Sequence, residues 1–356
     1  MMHLGISITP FGHHPGAWQK NGSSNSLQLN RISQQVKQAQ DAKFDFALFA
    51  DNSGIRPVGN LTTQVPFEPT TLISALATVA HEIGLIASAA IDQHEPYNLA
   101  RRFASLDTIS HGRAGWNLIA SASVPKSAEY IDVVSGLWDS WEDDAFIYDK
   151  AKGRLFLPEK MHVLDHAGEN FTVRGPLNVN RSEQGKPVIA TLLQSQTLEI
   201  AAQKAEVIFI DVTTSEELKS NLSDLQRAFD RNGRNRRNVR ILANVVPYVS
   251  TSEADANKLR QELDGLASNV SLSGIELIGT AQTIADHLEE LAERVDGFTI
   301  LPAIVSDERE TFVESVIPEL RNRGLFRDDY TGKTLRDHLG LPRPAHPAAI
   351  APEHSL

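Results

Sequence analysis

The chain has 356 residues, no cysteine, and 34 Lys plus Arg against 45 Asp plus Glu, a net charge of −11. Its 41% hydrophobic and 22% charged residues exclude collagen-like, coiled-coil and wholly disordered chains, and the acidic balance disfavours nucleic acid and anionic membrane as partners. The lack of Cys excludes disulfides, thiolate metal sites and cysteine nucleophiles and fits a reducing compartment. The first residues show no leader pattern and no run approaches 18 apolar residues, so a cytoplasmic location is expected.

Strands and helices alternate along the chain. LGISIT (4–9) reads as a strand, SLQLNRISQQVKQAQ (26–40) as a helix with Leu27, Leu29, Ile32, Val36 and Ala39 towards one side, and FDFALFAD (44–51) as a second strand. PTTLISALATVA (69–80), with Pro69 in its first turn, leads into GLIASAAI (84–91). NLARRFASLDTIS (98–110) is a helix, RAGWNLIAS (113–121) a strand, and 128–144 an amphipathic helix burying Val133, Val134, Leu137 and Trp141. Trp138 and Trp141 read as core at helical spacing, with Asp139, Glu142, Asp143 and Asp144 as its solvated end.

Residues 153–181 break the rhythm with a hairpin expected to turn at His166-Ala167-Gly168. Strands resume at 186–193, 206–212, 239–249 and 296–302, between helices that include one capped by Thr280 and one ended by Gly233. The arginines from 227 to 240 fit that helix end and its exit loop. Eight apolar strands alternating with helices predict a (β/α)8 TIM barrel over 1–326 with a hairpin insertion, followed by a loosely packed tail at 327–356. A doubly wound sheet is the alternative, although no GxGxxG follows the first strand.

Barrel chemistry sits at the C-terminal ends of strands. There stand Thr9 to His14, Asp51, Asp92 to His94, Asn117, Ser121, and Gln194-Ser195-Gln196-Thr197 opening into a helix. The last junction either holds a phosphate on free amides and hydroxyls or merely caps its helix. Asp51 needs a donor partner, from protein or from ligand. His13-His14 do not converge easily, and His162 and His166 lack a third ligand near them in sequence, so no metal is expected. No GxSxG elbow, Walker loop, HExxH or kinase signature is present.

Several segments taken together resemble one family. GHHPGAW (12–18), KFDFALFAD (43–51), FEPTTLISALA (67–77), EPYNLARRFASLDTISHGRAGWNLIAS (95–121), GLWDSWEDDA (136–145), GPLNVNRSEQGKPVI (175–189), DGFTILP (296–302) and 318–344 are similar to flavin-dependent monooxygenases of the bacterial luciferase-like superfamily. The similarity is to the nitrilotriacetate and dibenzothiophene-sulfone monooxygenase branch. It implies FMN at the barrel mouth, with Asp51 and Asn117 near the flavin ring, Ser121 at a polar strand exit, and Gln194, Ser195 and Thr197 in the phosphate loop. His14 is implied to be a mouth histidine facing substrate or peroxide. The implied reaction takes reduced FMN from a separate NAD(P)H-dependent reductase and uses O2 to oxygenate a small organic substrate through a C4a-peroxyflavin, in a homodimer or homotetramer. The sequence departs from that pattern at ASASVPKSA and at DGLASNVSLSG, where longer stretches are usual, and in a phosphate loop without glycines. Those departures leave a non-catalytic or weakly flavin-binding barrel subunit as the competing reading.

Overall fold

In the computed structural model, residues 1–20, 28–51, 67–267, 272–305 and 312–350 are described. Thirteen strands are found among them: β1 (His3–Ser7), β2 (Phe46–Phe49), β3 (Gly84–Ala90), β4 (Ala114–Ile119), β5 (Phe146–Asp149), β6 (Arg154–Phe156), β7 (His166–Ala167), β8 (Thr172–Val173), β9 (Val188–Leu192), β10 (Val207–Ile210), β11 (Arg240–Val249), β12 (Ile275–Gly279) and β13 (Gly297–Ile300). Parallel pairing runs β1-β2-β3-β4-β9-β10-β11-β13 and returns to β1, a closed eight-stranded barrel. These are the eight strands the sequence pattern predicts. IELIGT, outside that count, forms β12, a ninth strand paired to the upper half of β11 beyond the ring.

Strand alternation sorts the side chains into two layers. Leu4, Phe49, Trp116 and Ile208 face the surrounding helices in the main apolar cluster, while Phe46, Leu48, Ile86, Ala190, Phe209 and Leu242 fill the barrel. Gly5 makes room for one of these, since a Cβ there would stand 2.1 Å from the Phe46 ring. Trp116 packs against Phe103, Tyr130 and Trp138, and its indole donates to the Ala89 carbonyl at 3.0 Å. Burial of each such side chain stabilises the fold by roughly 1.5–3 kcal/mol.

Two helices begin where their first-turn residues predict, and a third ends where expected, while those expected from 98 and 128 begin earlier, at Pro96 and Val124. Pro69 is the first residue of its helix behind Glu68, whose carboxylate accepts from the Thr70 and Thr71 amides; Thr280 accepts from the Thr283 amide; and Gly233 ends its helix at φ 60°. Ile32, Val36 and Ala39 are buried as expected, Leu29 is exposed, and Leu27 lies outside the described residues. Most of the arginines from 227 to 240 are spent locally, Arg231 on Glu199, Arg234 on the Ala202 and Ala205 carbonyls, and Arg236 on Asp296.

Three expectations are corrected. The helix after β4 covers Val124–Trp138 and stops short of 144, because Ser140 turns to bond Leu137 and Leu177 and Trp141 pairs with Met161. The acidic residues beyond it are paired: Asp139 with Arg181 and Lys186, Asp143 with Arg181 and Arg343, Asp144 with Lys160. The insertion is two small hairpins, β5–β6 and β7–β8; His166 and Ala167 lie in β7, and the turn falls after them, where Gly168 donates to the Phe171 carbonyl.

The third correction concerns the tail. Far from packing loosely, residues 335–341 enter the bottom of the barrel, where Leu335, Leu339 and Leu341 join the interior cluster. Arg336, 2% exposed, makes a two-pronged ion pair with Glu206, Nη1–Oε1 at 2.6 Å and Nη2–Oε2 at 2.9 Å. Arg240 donates to the Leu339 and Gly340 carbonyls, and His338 to the Glu82 carbonyl. Among the described residues no helix is long and apolar enough to cross a membrane.

Candidate functional site

With the floor plugged, the accessible end of the barrel is the mouth. The residues singled out from sequence fall on five consecutive strands of it: Thr9 to His14 after β1, Asp51 after β2, Asp92 to His94 after β3, Asn117 and Ser121 on and after β4, and 194–197 after β9. Interior parity puts Asn117 among the inward side chains, in register with Ser88. Its amide donates to the Ser88 hydroxyl at 2.8 Å, and its Oδ1 is buried without a partner. A buried unpaired acceptor is costly and calls for a donor from elsewhere.

Asp51 is half-buried. Desolvation, then the nearby Glu68 carboxylate, pushes its pKa up, while His94 opposes them. His94 itself is lowered, first by burial and then by Arg102. Ser121 is nearly buried; its hydroxyl meets the Asp92 carboxylate and the Ser123 amide, and Lys126 closes on Asp92 at 2.7 Å. It therefore braces the entry to the following helix.

The β9 exit divides its labour. The Thr197 hydroxyl accepts from the Gln194 amide at 2.8 Å and donates back to the Leu192 carbonyl at 2.9 Å, so it is consumed in shaping the turn. Gln194 is exposed and accepts from the Gln196 side chain. Ser195 is exposed at the turn, and the helix Leu198–Lys204 has no side-chain cap.

The two histidines after β1 are both internal. His13 donates from Nδ1 to the Pro302 carbonyl at 3.3 Å and accepts at Nε2 from Ser7 at 3.1 Å; burial lowers its pKa to about 4. His14, expected to face substrate, is wholly buried. Its Nδ1 accepts from the Gly16 amide at 3.0 Å and its Nε2 donates to Asp264 at 3.1 Å. Both nitrogens are engaged, and its ring packs edge-on to Tyr248.

Sequence reasoning passed over the other half of the mouth. Asp211 after β10, Asn244 on β11 and Thr299 on β13 continue the inward polar layer; Asn244 donates to Asp211 at 3.4 Å, and Asn244 Oδ1 and Thr299 Oγ1 are buried without partners. Desolvation raises the Asp211 pKa against bonds from Ser273 and Asn244. The available signal was parity: each is a polar residue at an inward position within, or just after, an apolar strand.

Comparison with known proteins agrees with this architecture. The luciferase-like monooxygenase family matches residues 2–268. Nitrilotriacetate monooxygenase component A from Aminobacter aminovorans is 34% identical over 98% of each chain, in an alignment of 444 positions against the 356 residues here. N-acetyl-S-(2-succino)cysteine monooxygenase from Bacillus subtilis (strain 168) is 32% identical, over 96% of this chain and 97% of the relative. The structure of EDTA monooxygenase from Chelativorans sp. BNC1 superposes with a TM-score of 0.83 at 25% identity, covering 97% of this chain and 99% of the other. The chain belongs to the luciferase-like monooxygenase family and is an oxygen-incorporating oxidoreductase of its flavin-dependent class.

Proposed function

We propose that this protein is the oxygenating component of a two-component system, taking reduced FMN from a separate NAD(P)H-dependent flavin reductase to oxygenate a small organic substrate in the cytoplasm. The observation that carries the reading is the unpaired, buried Oδ1 of Asn117 on the same arc of the mouth as Asp51 and the uncapped helix after β9. A flavin ring offers N–H donors to such an acceptor, and a phosphate suits free amides flanked by the exposed Ser195 hydroxyl.

In this reading Asn117 and Asp51 hold the ring, and Ser195 with the neighbouring amides holds the phosphate. Gln194 belongs to that loop, and Thr197 and Ser121 keep the two strand exits in shape. His14 is a positioning residue: through Gly16 and Asp264 it holds the segment after β1 against the helix Glu253–Asp264. Bound reduced FMN supplies the electrons for activating O2, one oxygen atom going to substrate and the other to water. The apolar barrel interior below the mouth, with the neutral His13 bonded to Ser7 beside it, would help to exclude bulk water from a bound flavin.

Anaerobic titration with reduced FMN, followed by fluorescence and thermal stability, tests the proposal. A saturable change and O2-dependent product formation with a reductase are expected. No saturable change up to millimolar flavin would reject it in favour of the non-catalytic barrel.

A further inference from the structure

We propose that Glu142, His162 and His346 form a structural site for one divalent transition metal, zinc(II) by preference, which staples the C-terminal segment to the hairpin insertion. The three residues come from separate stretches of chain, which is why their spacing in sequence hides them. Folding brings one donor atom from each to within 4.8 Å of the others.

Each ligand is carried by a fixed backbone. Trp141 pairs with Met161, the Glu142 amide donates to the Lys160 carbonyl at 3.1 Å, and the His162 amide donates to the Ser140 carbonyl at 2.8 Å. This sets Glu142 beside His162, with Oε1 already 2.9 Å from Nε2. The His346 ring lies over that of His162 with centroids 5.0 Å apart. It is buried, and its Nε2–H donates to the Asp139 carbonyl at 2.9 Å. A carbonyl partner on one nitrogen fixes the tautomer and presents the other as a lone pair, the arrangement that orients metal-binding histidines.

Two imidazoles and a carboxylate with a water in fourth place satisfy zinc, whose ligands at about 2.1 Å stand about 3.4 Å apart. The cluster must therefore contract modestly at its widest. Three present contacts compete. The His162–Glu142 bond must open, the imidazole proton moving from Nε2 to Nδ1. The Ala348 amide donates to His346 Nδ1 at 3.1 Å, but Ala348 is exposed and water can take its place. The Lys160 ammonium stands 3.9 Å from Glu142 Oε2, and it is already paired with Asp144. The His162 side chain is 40% exposed, which gives the ion a way in. Asp139, whose carbonyl orients His346, is tied to Lys186 just before β9. The site thus lies at the barrel's floor end, remote from the mouth, where a metal serves stability.

The test uses untagged full-length protein stripped with a chelator and dialysed, titrated with Zn2+ by calorimetry and with Co2+ by visible absorption. One ion per chain, a tetrahedral Co2+ spectrum and a rise in Tm are expected, together with slower proteolytic loss of the C-terminal segment. His162→Gln, at a partly exposed position that folding tolerates, and Glu142→Gln should each weaken binding by more than about 100-fold. His166→Gln, bonded instead to Glu129, should leave it intact. Absence of saturable one-to-one binding, or binding undiminished in His162→Gln, would overturn the proposal.

Discussion

Asn117 on β4 and Ser88 on β3 are register partners joined by a 2.8 Å bond that satisfies the amide nitrogen and leaves the carbonyl oxygen buried and unpaired. Removing that oxygen removes the acceptor assigned to the flavin without opening the apolar layers. Asn117→Ala should weaken reduced-FMN affinity several-fold while Tm changes little, as read by anaerobic fluorescence titration and calorimetry. Unchanged affinity would place the ring elsewhere on the mouth.

Ser195 and Thr197 stand two residues apart and should respond oppositely. Ser195→Ala leaves every bond of the turn in place and should cost about tenfold in FMN affinity, the worth of one charge-assisted hydrogen bond. Thr197→Ala removes the hydroxyl that ties Gln194 to Leu192 and should lower stability by roughly 1–2 kcal/mol. Equal effects of both on affinity, with no difference in urea midpoint, would refute this division.

His13 makes stability depend on pH. Its folded pKa of about 4 lies below the ordinary 6.5, so the unfolded chain binds the extra proton first. The neutral ring's contribution is complete above about pH 6.5 and is lost as pH falls through 6.5 towards 4, up to roughly 3 kcal/mol. Asp107, which burial raises to about 6, acts in the opposite sense, so the comparison must be with His13→Gln. The Tm advantage of wild type over that variant should narrow steadily from pH 7.5 to pH 4.5; a constant gap would contradict a neutral buried ring.

Leu335 fills the space above two glycines: a Cβ at Gly84 would stand 2.5 Å from its Cδ1, and one at Gly115 3.1 Å from its Cδ2. Leu335→Ala should therefore open a cavity that little can collapse into, costing about 2–5 kcal/mol by urea denaturation. A loss below about 1 kcal/mol would mean that the floor is held by Arg336 and Arg240 alone.

The barrel was legible because its strands are buried on both faces, and such strands read as apolar runs whatever their neighbours. The tail was not, since LGLPRP carries no periodicity, and its role depends on a hole that only the closed barrel creates. At the mouth, residue type pointed to Asn117 and Asp51, but His14 and Thr197 show its limit. A polar side chain at a strand end can equally be consumed by its own loop, and only the partners of each nitrogen and hydroxyl distinguish the two. The cluster of Glu142, His162 and His346 was hidden for the converse reason: its members meet only after the tail has crossed the floor.

That crossing has a bearing on synthesis. The ring of strands is complete once β13 has emerged, yet its lowest interior layer is still open to water from below. Phe46, Val188, Val207 and Leu242 are covered there by Leu335, Leu339 and Leu341, which follow β13 in the chain. A chain interrupted between β13 and Leu335 would therefore present an unsealed apolar bore to chaperones and proteases.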